Sequence, residues 1–161
     1  MTQASDDLPI QQQPTERQSK QIQPSILHYT PMHTDAFIET MRQQIIAFNA
    51  PHFEGLIREP LGLACHNDLG QLIGGLAGKT FGHWFLLEYL WVDSQQRGQG
   101  IGSKLLQDAE ALAKQRHCRF VLLDTLDFQA APFYQAQGYH QVWSQQEYPL
   151  TGQKHFMVKT L

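Results

Sequence analysis

Leu90-Trp91-Val92-Asp93-Ser94-Gln95-Gln96-Arg97-Gly98-Gln99-Gly100-Ile101-Gly102-Ser103-Lys104-Leu105-Leu106 decides how the rest of this 161-residue chain is read. The first residues are apolar and suit a buried strand; a polar turn follows, then a glycine-rich loop, then an amphipathic helix. Glycine removes the side chain where a backbone must turn sharply or lie close to a ligand. Behind such a loop the first helix amides have no intrahelical partner and point back into it. The arrangement predicts an anion site, suited to a phosphate or pyrophosphate.

Three glycine patterns compete for this loop. A P-loop needs Gly-x-x-x-x-Gly-Lys-Ser/Thr; here Ser103 precedes Lys104 and Leu105 follows it, so both ends fail. A dinucleotide fingerprint needs Gly-x-Gly-x-x-Gly. From Gly98 the third glycine falls on Ser103, and from Gly100 on Leu105, so both registers fail. Arg/Gln-x-x-Gly-x-Gly/Ala is the pattern that Arg97 to Gly102 matches. A glycine turn without a ligand is the plain alternative.

Outward from the loop, Ile101, Leu105, Leu106, Ala109, Leu112 and Ala113 form one face of the helix. Lys104, Gln107, Asp108, Glu110 and Lys114 are expected on the solvent face. Residues 120–125 read as a buried strand, which completes a βαβ unit. Upstream, residues 83–92 form a nearly continuous apolar run, expected to be a central strand covered on both faces. Glu88 interrupts it. A carboxylate there is either a general base with its pKa raised by apolar neighbours, or one held in a salt bridge or at a surface position.

The remaining elements follow from periodicity and breakers. Residues 25–30 suggest a first strand, 35–48 a helix capped by Thr34 or Asp35, and 53–59 a short helix or loop. Strands at 61–66 and 71–79 flank the turn Asn67-Asp68-Leu69-Gly70. Pro132 and Gly138 bracket a short helix, and 139–143 and 154–160 are the last strands. Residues 1–24, rich in Gln with three prolines, cannot supply a core and are expected to be a flexible tail.

A second motif, Ala131-Pro132-Phe133-Tyr134-Gln135-Ala136-Gln137-Gly138-Tyr139, completes the pattern. With the loop from Arg97 to Gly102, it makes residues 26–161 resemble the GNAT (GCN5-related N-acetyltransferase) superfamily, and the stretch from Leu123 to Ala130 that leads into this motif is similar to a bacterial subgroup of unassigned enzymes. The resemblance implies an α/β (α+β) GNAT fold: a mixed, mostly antiparallel central sheet, splayed between two parallel strands, with helices on both faces. It implies one such domain over 25–161 and acetyl-CoA as cosubstrate. Pantetheine is then expected to pair with the backbone of Leu90 and Val92, beside Trp91, like an added strand. Pyrophosphate is expected on the amides of Arg97, Gly98, Gln99, Gly100, Ile101 and Gly102, with Ser103, Phe133 and Tyr134 as further residues expected to bind the cosubstrate. The family often places an Asn shortly after the second splayed strand; this chain has Asp127 and Phe128.

The chemistry implied is direct transfer of the acetyl group to a primary amine in a ternary complex. An alkyl amine titrates near pH 10, so a base must take its proton. The resemblance assigns this to Glu88, with Asp124 or water as alternatives, and assigns protonation of the departing thiolate to Tyr134. Backbone amides of the first splayed strand polarise the thioester carbonyl. The acceptor is left open between small molecules and peptide amines. Two other classes remain: a non-catalytic acyl-CoA sensor, and a nucleotide-binding protein of another fold, which the failed spacings disfavour.

Composition bounds the rest. Net charge of −3 excludes strong attraction to nucleic acid or an anionic membrane, and no apolar run approaches a bilayer span. With no signal-peptide core, a cytoplasmic protein with Cys65 and Cys118 as free thiols is expected. The eight histidines show no metal-ligand spacing. A homodimer is compatible with the family; no residue pattern here speaks to it.

Overall fold

A computed structural model describes residues 27–161; the expected tail at 1–24 lies outside the described residues, as do Ser25 and Ile26. The chain divides between Ala47 and Phe48 into two units. In the first unit, residues 27–34 form no strand, although 25–30 read as one. That run has two apolar residues between Pro24 and Pro31, too little to hold a ladder. Helix α1, Asp35–Asn49, begins as its spacing predicts. Thr34 caps it, its Oγ1 accepting from the Phe37 amide at 3.3 Å.

The second unit is built on a six-stranded sheet: β1 (Glu59–His66), β2 (Leu72–Phe81), β3 (Trp84–Val92), β4 (Phe120–Leu126), β5 (His140–Gln145) and β6 (Lys154–Thr160). Their spatial order is β1-β2-β3-β4-β6-β5. Only β3 and β4 run parallel; the other pairs are antiparallel. Helix α2 (Ile101–Gln115) joins that parallel pair, and α3 (Ala131–Ala136) follows β4. Residues 53–58 form no helix; a single 3-10 turn, Ala50–His52, precedes them. The mixed, mostly antiparallel sheet is the one the family resemblance implied, and the parallel β3–β4 pair is the one the βαβ pattern predicted.

The core lies between α2 and one face of the sheet. Leu105, Leu106, Ala109 and Ala113 meet Leu76, Phe85, Leu87, Val121, Leu123 and Met157. Burying a Leu or Phe side chain contributes roughly 2 kcal/mol. Two positions of α2 differ from expectation. Glu110 is buried, whereas Leu112 is 36% exposed. The helical period explains both: 110 lies four residues after Leu106 and three before Ala113, within the core stripe, and 112 falls off it. Cys65 and Cys118 are free thiols.

The expectation that both faces of β3 are covered also fails in part. Phe85 and Leu87 are buried, but Tyr89 and Trp91 are 71% and 47% exposed. A bulge lies between them: Ala77 pairs with Tyr89 and Gly78 with Leu87, so Glu88 is the extra residue on β3. Past the bulge, the alternate residues Tyr89 and Trp91 leave the packed face.

Candidate active site

β3 and β4 part early. Only Trp84 with Phe120, Phe85 with Val121 and Leu86 with Leu122 are paired. Beyond them β3 continues along β2 and β4 along β6, so their facing edges have no ladder partner among the described residues. The wedge between them opens into a cavity of about 980 Å³. The splay expected between two parallel strands is therefore present, at the end of the strands where the glycine loop begins.

The loop closes one end of the wedge. Asp93 Oδ1 accepts from the Gln95 amide at 2.8 Å and caps a 3-10 turn at Ser94–Gln96. Gly98 and Gly100 then adopt left-handed backbone, with φ of 77° and 82°, which a side chain would strain. Gly100 is the N-cap of α2 and supplies no side-chain cap. The Lys104 amide makes the first helical bond, to the Gly100 carbonyl at 2.9 Å. The amides of Ile101, Gly102 and Ser103 have no partner within the helix and favour an anion. Gly102 differs from the other two: an added Cβ would meet Phe133 and Val92 at an ordinary 3.6 Å.

Of the residues singled out in the sequence, the cavity brings together Glu88, Leu90, Trp91, Val92, Arg97, Gly98, Gly100, Ile101, Gly102, Ser103, Phe133 and Tyr134. Gln99 does not join them; it lines a separate hollow of about 370 Å³ beside Cys65 and Lys104. Arg97 uses its Nε to donate to the Val92 carbonyl at 3.2 Å, so it also fastens the loop to the end of β3. Ser103 Oγ accepts from Gln137 Nε2 at 3.2 Å, which ties the start of α2 to the end of α3.

Strand alternation divides the wall. Leu90 and Val92 lie toward α2, as do Leu123 and Thr125 of β4; Tyr89, Trp91 and Asp124 lie on the opposite face. Glu88 and Asp124 are half-exposed carboxylates, and each has a lysine partner. Glu88 pairs with Lys79 of β2, and Asp124 with Lys154 of β6 at 3.5 Å. The apolar setting suggested by the neighbours of Glu88 is thus not the one it occupies, because the bulge turns it out of the core.

Tyr134 is buried, with its ring edge-on between Phe133 at 5.1 Å and Tyr139 at 5.7 Å. Burial and then the charge of Asp124 push its hydroxyl up to about 12. The group is therefore a proton donor throughout the neutral range. It also bears on stability. A raised folded pKa stabilises the protein fully below the unfolded value of 10, and that contribution is lost as pH rises through about 12. At the full shift it amounts to about 3 kcal/mol. Wild type should accordingly lose stability more steeply than Tyr134→Phe between pH 10 and 12, in urea titrations of the two proteins; parallel curves would contradict this.

Two further residues line the cavity: Phe128, which stands with Asp127 where the family often places an Asn, and Gln129, which no motif marks. Gln129 turns its Oε1 back to the Leu126 amide at 2.9 Å and shapes the turn after β4. Asp127 holds the same turn from outside, accepting from the Phe128 and Gln153 amides at 2.9 and 3.0 Å. The signal for both cavity residues was their position: they follow a splayed strand and necessarily border the wedge.

Comparison with known proteins agrees with this architecture. The profile of the acetyltransferase (GNAT) family matches residues 27–139. A blasticidin-S acetyltransferase of Streptomyces morookaense is 41% identical over 99 residues, 61% of this chain and 72% of that protein. An acetyltransferase of Agrobacterium fabrum is 32% identical over 106 residues, 66% of this chain and 77% of that one. The crystal structure of an acetyltransferase from Bacillus cereus superposes with a TM-score of 0.77 at 30% identity, covering 83% of this chain and 98% of that chain.

Proposed function

Because the chain belongs to the acetyltransferase (GNAT) family, we propose that it moves the acetyl group of acetyl-CoA directly onto a primary amine of a small molecule. The observation that carries this reading is the wedge between β3 and β4, which gathers the glycine loop with its unpartnered helix amides, a free strand edge and Tyr134 around one cavity. The residues present fit acetyl-CoA. The amides of Ile101, Gly102 and Ser103 suit its pyrophosphate, and Gly98 and Gly100 let that group approach the backbone. The unpaired edge of β3 at Leu90 and Val92 suits the amide-bearing pantetheine arm.

In this reading the acceptor approaches from the face that carries Glu88, Tyr89, Trp91 and Asp124. Glu88 takes a proton from the ammonium, with Asp124 or water as the alternative base. The neutral amine then attacks the thioester carbonyl, and its C–N bond forms as the C–S bond breaks. Tyr134 donates its proton to the departing thiolate and regains one from the amine nitrogen as the amide forms, so the amide leaves together with CoA as the free thiol. A small-molecule acceptor is favoured over a peptide because the relative from Streptomyces is a blasticidin-S acetyltransferase.

The test is thiol release from acetyl-CoA against a panel of amines that includes blasticidin S, other amine-bearing antibiotics, polyamines and a lysine peptide. Release that depends on a small-molecule amine, with the acetylated product found by mass spectrometry, supports the proposal. Release only with the peptide would overturn the acceptor class. CoA binding without release on any amine would overturn the transferase reading in favour of a sensor.

A further inference from the structure

A largely buried ionic cluster, with Lys159 at its more exposed edge, lies behind the cavity, outside the residues assigned to the chemistry. Glu110, in the C-terminal half of α2, is 8% exposed. Its Oε1 accepts from the Tyr139 hydroxyl at 2.9 Å, and its Oε2 accepts from Lys159 Nζ at 2.6 Å. Lys159 lies on β6, with its ammonium 5.5 Å from the centre of the Tyr139 ring. The cluster therefore joins α2, β6 and the segment that leaves α3.

A buried ion pair is a poor way to gain stability, because desolvation offsets most of its attraction and apolar side chains of similar volume often do as well. A fully satisfied buried network does supply direction: each partner fixes where the others stand. Here the fixed object is the Tyr139 ring. Its backbone amide donates to the Tyr134 carbonyl at 3.0 Å, and its ring meets the Tyr134 ring edge-on at 5.7 Å. Tyr134 is thus clamped from behind while its hydroxyl serves the cavity. The helix that carries Glu110 also presents the amides of Ile101 to Ser103 at its other end. One rigid element thereby sets both the anion-binding amides and, through Tyr139, the tyrosine.

We propose that Glu110 is a positioning residue for acetyl transfer: through Tyr139 and Lys159 it fixes the ring against which Tyr134 packs, and so fixes the Tyr134 hydroxyl relative to the loop amides of α2. The proposal rests on the transferase reading and on Tyr134 as the proton donor. Misplacing a reacting group by about 1 Å costs up to roughly 100-fold in rate.

The test is a double-mutant cycle on kcat with an accepted amine, using wild type, Glu110→Met, Tyr134→Phe and the double variant. Glu110→Met is expected to lower kcat by about 10-fold, with KM for acetyl-CoA and the circular-dichroism spectrum unchanged. In the Tyr134→Phe background the same substitution is expected to change kcat by less than about twofold, because the group it positions is gone. An equal loss in both backgrounds, a loss confined to KM, or no loss at all overturns the positioning role. If Glu110→Met does not fold, Tyr139→Phe keeps the ring, removes only the hydrogen bond to Glu110, and runs through the same cycle. Absence of turnover by wild type on every amine is a different failure, which overturns the transferase reading and this proposal with it.

Discussion

Turnover by Tyr134→Phe is expected to fall by about 100-fold or more, the scale of a lost general acid, while CoA affinity stays within about a factor of two. The substitution removes a single oxygen. The ring that packs between Phe133 and Tyr139 is retained, so the edge-on contacts at 5.1 and 5.7 Å survive. The groups proposed to hold CoA, the loop amides and the edge of β3, lie on other elements and are untouched. What disappears is a donor that burial and Asp124 keep protonated up to about 12. Loss of kcat at constant CoA affinity, measured by thiol release and by calorimetric titration, supports the assignment. Unchanged kcat would mean that water protonates the thiolate.

Gly78→Ala is expected to destabilise the fold by about 3 kcal/mol, at the upper end of what overpacking costs. A Cβ at this position would stand 2.2 Å from the Leu86 carbonyl oxygen and 2.9 Å from the Phe85 ring. The obstacle is backbone, so no side-chain rotation relieves it. Gly78 faces Leu87 at the bulge that leaves Glu88 unpaired, and relief would require β2 and β3 to separate at the position that aims this carboxylate. A lower urea midpoint, together with lower activity in whatever protein still folds, is the expected outcome. Gly62→Ala on β1 is the control, since a Cβ there meets only the Leu76 carbonyl at 3.5 Å. Equal stability of the two variants would sink the argument.

Much of the site was legible because its signals are local. Left-handed backbone at Gly98 and Gly100 is a property of glycine, and the free amides behind them follow from starting a helix there. Tyr134 comes from a motif, and it stands on the cavity wall. Gln99 shows the limit: Gly98 beside it lines the cavity while Gln99 lines the smaller hollow, which Gly100 and Ile101 also border, and a glycine pattern does not say which residue borders which. Glu88 shows another. Its neighbours in sequence are apolar, but its neighbour in space is Lys79, brought across from β2 by a bulge that two strands create together.

What the sequence determined by itself is the order of elements from β1 to β6, the glycine turn into α2 and the parallel pairing that a strand-helix-strand run demands, since each depends on residues close in the chain. The tertiary structure alone decided three things. It set the length of the ladder between β3 and β4, and hence the size of the wedge; it turned Glu88 outward; and it drew Glu110 into the core against Tyr139 and Lys159. Each of these depends on how separate elements meet: Glu88 on a register shift between β2 and β3, Glu110 on partners 29 and 49 residues away. The free energy of each depends on geometry that no single segment contains: a carboxylate is a solvent residue by its own hydration, and becomes a core residue only when the fold supplies two donors at hydrogen-bond distance.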